Sequence, residues 1–278
     1  MLFDTHLHLI NKARLQYPWL EGFAALDKDS CFDTYSRDAA RVGIDGCLHM
    51  EVDVAEDCIE DETCLMDELI AEPGSLMCGM ISSCRPEREG FAAFLDRAST
   101  NPNIKGFRRV LHVVPDDVST TAVFRANIKR LSGTGLTFDL CVLARQLKLA
   151  IELVSHCPDV TFVLDHCGVP DVAAQSFEPW RSDIKALAKH PNVIAKISGV
   201  VAYGDTETWT LNDIKPFVDE TAEAFGPDRI VWGSDSPVCN LGGGLATWVA
   251  ATHSLTENWS NTERDGLYHI NACRLWRL

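Results

Sequence analysis

Short apolar runs rich in β-branched residues alternate along this chain with longer stretches whose apolar residues recur at helical spacing. The short runs predict strands at Leu2–His8, Gly46–Val52, Leu76–Ser82, Lys105–Leu111, Leu136–Val142, Thr161–His166, Val193–Ser198 and Arg229–Gly233. Between them, Ser36–Val42, Leu143–His156, Trp180–His190 and Leu211–Phe225 read as helices, and Gly or Pro often marks their ends. Regular βα alternation favours a parallel sheet, and eight strands with helical crossovers close into a (β/α)8 TIM barrel of one domain over residues 1–278. A doubly wound open sheet would carry a glycine-rich phosphate turn after an early strand, and none follows the first strand here. Gly242-Gly243-Gly244 comes late and lacks that spacing, so it reads as a loop. Asn11 to Asp33, with Tyr17-Pro18-Trp19 inside it, is a long insertion expected to fold over the barrel mouth, where Trp19 would meet substrate.

The length of 278 residues suits that architecture, since such barrels run to roughly 250 residues. With 46% hydrophobic and 23% charged residues the composition is that of a globular chain, and no apolar run approaches the roughly 20 residues that span a bilayer. A net charge of -15 argues against nucleic acid as a partner, because that affinity draws on clustered Lys and Arg. A small molecule is the expected partner, and the oligomeric state is left open. The 11 cysteines show no CxxC pairs, and the first strand lies so near the N-terminus that no secretory segment is expected. Reduced thiols in a cytoplasmic protein follow as the expectation.

Candidate chemistry enters with the first strand, where alternation would project Asp4, His6 and His8 from one face. Two imidazoles aimed at one point suit a divalent cation such as zinc, with further ligands from elsewhere. An isolated His-x-His is common without function, so the other strand ends decide. In a barrel the reacting groups sit at the C-terminal ends of strands. The sixth run ends in His166, and the eighth leads into Asp235. Joint placement at three strand ends makes His6, His8, His166 and Asp235 the candidate metal ligands and proton carriers. Arg108 is the first candidate to bind a substrate carboxylate or carbonyl through its planar fork, and Arg145 the second. Arg109 faces the other way on the strand, toward helices or a surface acid. Lys196, Ser198 and Tyr203 lie at or beyond the seventh strand, within reach of polar substrate groups.

These segments carry a family resemblance. Asp4-Thr5-His6-Leu7-His8, Tyr17-Pro18-Trp19-Leu20, Gly106-Phe107-Arg108-Arg109, Phe138 to Val142, Leu164 to Gly168, and Phe225 to Arg229 running into Trp232-Gly233-Ser234-Asp235 together resemble the amidohydrolase superfamily. The match is to its branch of metal-dependent hydrolases that includes sugar-acid and dicarboxylate lactonases. The resemblance implies a (β/α)8 barrel in which Asp235 is general base toward water, while the histidines of strands one and six hold a metal or the substrate. Two-metal members of that superfamily place a bridging lysine or glutamate on strand four and another histidine on strand five. Here strand four carries Arg108, Arg109 and then His112, and strand five Phe138, Asp139 and Cys141. One divalent metal, zinc first, or none is therefore expected. Related lactonases also carry a lysine where Val169 stands and a tryptophan where Ser236 stands, which leaves substrate choice open.

The expected reaction is hydrolytic opening of a lactone. A decarboxylase or lactone isomerase on the same scaffold is the alternative. A non-catalytic binder would have no need of Asp235.

Overall fold

The computed structural model describes residues 1–278 and contains eight parallel strands in the order in which they occur along the chain. These are β1 (Leu2–Leu7), β2 (Ile44–Met50), β3 (Met77–Ser83), β4 (Ile104–Val110), β5 (Thr137–Cys141), β6 (Thr161–Leu164), β7 (Val193–Ile197) and β8 (Ile230–Trp232). The crossover helices are α1 (Phe32–Val42), α2 (Ile59–Ile70), α3 (Phe91–Ala98), α4 (Ala122–Lys129), α5 (Leu147–His156), α6 (Trp180–Ala188), α7 (Leu211–Phe225) and α8 (Leu245–Leu255). The ring closes between β1 and β8. Thr5 Oγ1 donates to the Trp232 carbonyl (2.7 Å), Asp235 N to His6 O (2.9 Å) and His8 N to Ser236 O (2.8 Å). This is the (β/α)8 barrel that the alternation predicts.

Where boundaries move, packing explains the change. The helix expected from Ser36 begins at Phe32, because Phe32, Tyr35 and Ala39 form one buried stripe at helical spacing. The run expected to reach His166 stops at Leu164, and the chain then turns with His166 and Cys167 at positive φ. The helix expected from Leu143 starts at Leu147, after a single 3₁₀ turn over Ala144–Gln146.

The interior of the barrel is divided by height. Phe3, Leu48, Ile81, Val163 and Val231 form an apolar plug, closed from below by Trp276, whose indole donates to Thr137 at the start of β5. Above the plug the inward positions turn polar. The larger apolar core lies outside the ring, where Phe107, Phe138, Phe162 and Trp232 meet the helices. Alternation along β1 is broken by a register shift between Asp4 and Leu7. Asp4 therefore does not project with the two histidines: it turns to α1, accepts from the Tyr35 hydroxyl (2.7 Å) and from Ser234 N (2.7 Å), and braces the closure. The insertion after β1 folds over the mouth as expected, held by pairing of Ile10 with Ser30 and by the Trp19 indole donating to the Val52 carbonyl at 2.7 Å. No helix is long and apolar enough to cross a membrane.

Candidate active site

At the C-terminal end of the barrel lies a cavity of about 210 Å³, lined by His8, His166, Asp235, Arg108, Trp19 and Tyr203 together with apolar side chains such as Ile10, Val52 and Val238. That volume suits one small ring, with a largely apolar wall and a few convergent polar groups.

His6, His8 and Asp235 meet at the cavity floor. His6 Nε2 lies 3.1 Å from His8 Nε2 and 3.8 Å from Asp235 Oδ1, and His8 Nε2 lies 3.4 Å from Asp235 Oδ1. A tetrahedral ion bound at about 2.0–2.1 Å separates its ligands by about 3.4 Å, so this triangle fits one zinc-sized ion. The tautomer of His8 agrees, since Nδ1 donates to the Met50 carbonyl (2.9 Å) and leaves the Nε2 lone pair facing the triangle. Burial, reinforced by Arg108, pushes the His8 pKa down to about 3. Burial and then Lys196 likewise lower His6. Both imidazoles are neutral, as ligands must be. Burial pushes Asp235 up to about 6, against the pull of His166 and Arg108. A carboxylate so poised gives and takes a proton near neutrality.

The backbone is strained where these groups are aimed. His166 (φ 53°) and Asp235 (φ 57°) both occupy the left-handed region, which costs a non-glycine residue on the order of 1–3 kcal/mol. The turns throw both side chains inward from strands that have just ended. Gly199 (φ +65°) makes room for them: a Cβ there would lie 2.5 Å from Asp235 Oδ2 and 2.7 Å from His166 Nδ1. His166 Nδ1 is held by the Ser198 hydroxyl at 2.8 Å.

Beneath the triangle runs a buried network of charges. Arg108 donates from Nε to Glu51 Oε1 (2.6 Å), from Nη2 to the Glu51 carbonyl (2.6 Å) and from Nη1 to Asp165 Oδ2 (3.3 Å). Lys196, fully buried, pairs with Asp139 (2.7 Å) and Asp165 (2.9 Å). Burial opposes charge throughout, yet Arg108 outweighs it at Glu51, and Lys196 with His6 holds Asp165 well below the usual carboxylate range. Asp139 and Asp165 in turn keep Lys196 protonated. Glu51 and Asp165 were not among the residues singled out from the sequence. The available signal was a charged residue at an inward position of an apolar run: Glu51 just past the end of β2, and Asp165 just past the end of β6.

The other expected residues divide. Tyr203 and Trp19 line the cavity, and the Tyr203 ring meets His166 edge-on with centroids 5.9 Å apart. Arg108 lines it too, although most of its donors are engaged inside the protein. Arg109 faces outward, with Nε donating to Glu87 at 2.9 Å. Arg145 is not brought to the site: it is exposed and paired with Asp116. His112 and Cys141 also line the cavity, with Nδ1 and Sγ 3.5 Å apart.

Comparison with known proteins bears on the family and the fold. The family described as amidohydrolase matches residues 3–278. An L-fucono-1,5-lactonase of Burkholderia multivorans is 26% identical over 99% of this chain and 95% of its own. A 2-pyrone-4,6-dicarboxylate hydrolase of Comamonas testosteroni is 36% identical over 29% of each chain. A crystal structure of an amidohydrolase from Burkholderia multivorans with bound zinc superposes with a TM-score of 0.90 at 25% identity, over 100% of this chain and 99% of that one.

Proposed function

We propose that this chain, which belongs to the amidohydrolase family, is a lactonase that opens the ring of a sugar acid or a related dicarboxylate by attack of water on the ring carbonyl. The carrying observation is the placement of Asp235, near-neutral in its proton affinity, beside two neutral imidazoles in a cavity of single-ring size. The names of the L-fucono-1,5-lactonase and the 2-pyrone-4,6-dicarboxylate hydrolase support the same class. A cytoplasmic setting suits the 11 free cysteines.

Asp235 takes a proton from water as the oxygen attacks the lactone carbonyl, and returns it to the ring oxygen as that bond breaks. The oxyanion formed in between is stabilised by the positive end of the site, to which Arg108 contributes from the cavity wall. His166, fixed by Ser198, orients the substrate from the other side of Asp235. Tyr203 and Trp19 pack against the ring and limit its size. His6, His8 and Asp235 would hold one divalent ion, zinc first, which when bound supplies Lewis-acid polarisation and lowers the pKa of water.

Ring opening releases a proton as the product acid ionises. A weakly buffered screen of five- and six-membered aldonolactones and of dicarboxylate lactones, followed with a pH indicator, is expected to show acidification with at least one. Carbon dioxide release from an unsaturated or aromatic acid, with every lactone inert, would replace the lactonase by a decarboxylase.

A further inference from the structure

The two sides of the cavity carry different chemistry. In a closed ring of eight strands the fourth lies opposite the eighth and the fifth opposite the first. Asp235 and His8 follow β8 and β1, whereas His112 follows β4 and Cys141 is the last residue of β5. The imidazole of His112 and the thiol of Cys141 therefore stand across the cavity from the reacting end. Sheet pairing brings these two together: Val110 is opposite Cys141, and Leu111 N donates to Cys141 O at 3.0 Å. Arg108, Val110 and His112 alternate onto one face of the chain, and all three line the cavity. The polar groups of this wall are matched within the protein except at one atom. Arg108, the one Lys or Arg among the lining residues, spends its Nε and Nη2 on Glu51 and its Nη1 on Asp165. Asp53 at the rim is 3.4 Å from Arg85 and 3.8 Å from Arg109. His112 Nδ1 lies 3.5 Å from Cys141 Sγ, and Nε2 makes no hydrogen bond within the protein. Burial, then Arg108, lowers the His112 pKa, so the ring is neutral, and burial keeps the Cys141 thiol protonated.

We propose that His112, held by Cys141, is a specificity-determining residue that hydrogen-bonds a hydroxyl on the edge of the substrate ring remote from the reacting carbonyl. With the carbonyl at Asp235, a placement that rests on the lactonase reading above, the far edge of a single ring reaches the β4–β5 wall. A hydroxyl both gives and accepts a hydrogen bond, so it fits Nε2 in either tautomer of a neutral imidazole. A carboxylate only accepts, and on this wall it meets no cation with donors to spare. The wall thus favours a hydroxylated lactone over one that carries a second carboxylate. When the ring displaces water from the cavity, a substrate without that hydroxyl leaves Nε2 unpaired, which is the origin of the discrimination. Cys141 touches Nδ1 and acts through His112, as a positioning residue.

Affinities are measured by calorimetry in an Asp235→Asn background, which is expected to hold a lactone without opening it. The probes are five- and six-membered aldonolactones, the forms of each that lack one hydroxyl away from the carbonyl, and a dicarboxylate lactone. With His112 in place, loss of the remote hydroxyl is expected to weaken binding by about tenfold, the size of one neutral hydrogen bond. The dicarboxylate is expected to bind less tightly than the best aldonolactone. With His112→Leu the hydroxylated and deoxy forms should bind alike, and His112→Gln should restore part of the difference. In the chain with Asp235 intact, His112→Leu should raise KM about tenfold and leave kcat little changed, because the contact is made equally before and during reaction. Cys141→Ala should give a smaller loss of the same kind. A folded His112→Leu that keeps the wild-type ratio of hydroxylated to deoxy affinity would overturn the proposal, as would a dicarboxylate lactone bound more tightly than every aldonolactone, or no binding of any aldonolactone. The reaction is judged separately: aldonolactones that bind through His112 but are not opened by wild type would remove the hydrolysis and leave this contact, whereas lactone opening with an unchanged His112→Leu ratio would do the reverse.

Discussion

The Nε2 atoms of His6 and His8 face one another at 3.1 Å, closer together than either is to Asp235 Oδ1. Two neutral imidazoles cannot leave two lone pairs in that position, so the pair must share a proton or a cation. A divalent ion that takes the place of that proton is expected to bind the native chain and not the unfolded one, raising the thermal midpoint with its concentration. A chelator titration in which the midpoint does not move would remove the ion from the triangle.

Ion affinity should follow the protonation of Asp235. Its folded pKa is raised to about 6, while His8 lies near 3, so the carboxylate is the ligand that takes up a proton first as pH falls. Affinity is expected to be flat above about pH 6 and to fall by about a factor of ten per pH unit below it. Calorimetric titration at several pH values reads this slope directly, and an affinity that stays flat down to about pH 4 would remove Asp235 from the ligand set.

Asp235→Asn is expected to lose about 10²–10⁴-fold in kcat while substrate binding changes little, because the amide keeps the shape and cannot accept the proton. The same variant should be more stable than wild type when free of metal. A buried carboxylate whose pKa is raised from 3.8 to about 6 costs nothing below its unfolded value, progressively more as pH rises from there to its folded value, and a constant amount above it. At neutral pH that cost is on the order of 3 kcal/mol. Denaturant unfolding at pH 7 and at pH 4 checks it, since the gain should vanish at the lower pH.

Arg108→Lys is expected to weaken substrate binding by about 1–3 kcal/mol, read as a raised KM. The structure adds a second effect. The guanidinium joins Glu51 to Asp165 with both carboxylates buried, so Arg108→Met should also lose about 3–5 kcal/mol of stability. An Arg108→Met variant with an unchanged unfolding midpoint would show that this network does not hold the barrel together.

Gly199→Ala tests the crowding beneath the site. The added methyl would press on both Asp235 and His166 in a backbone region that disfavours alanine. A drop in kcat of at least about tenfold, one decade being about 1.4 kcal/mol, is expected with the fold kept. Near-normal turnover would mean that His166 and Asp235 shift without consequence.

The sequence alone was enough for the barrel, because period-2 and period-3.6 patterns are local and each run declares its buried face without knowing its neighbours. All eight strands fall within a residue or two of their predicted starts, and His6, His8, His166 and Asp235 are legible as residues at or near strand ends. What pattern could not reach is whatever depends on closure. Asp4 looks equivalent to His6 along the strand, and only the register shift against β2 and the bond from Ser234 across the seam turn it away. Arg145 follows β5 closely in sequence, yet the 3₁₀ turn at the start of its helix leaves it outside with Asp116. The charges that hold Arg108 and support His6 come from β2, β5, β6 and β7. Glu51, Asp139, Asp165 and Lys196 lie far apart along the chain, and only the curvature of a closed sheet brings their inward positions to one axis. Local periodicity is written in consecutive residues, whereas the partner of a buried charge is fixed by strand order and register, which exist only in three dimensions.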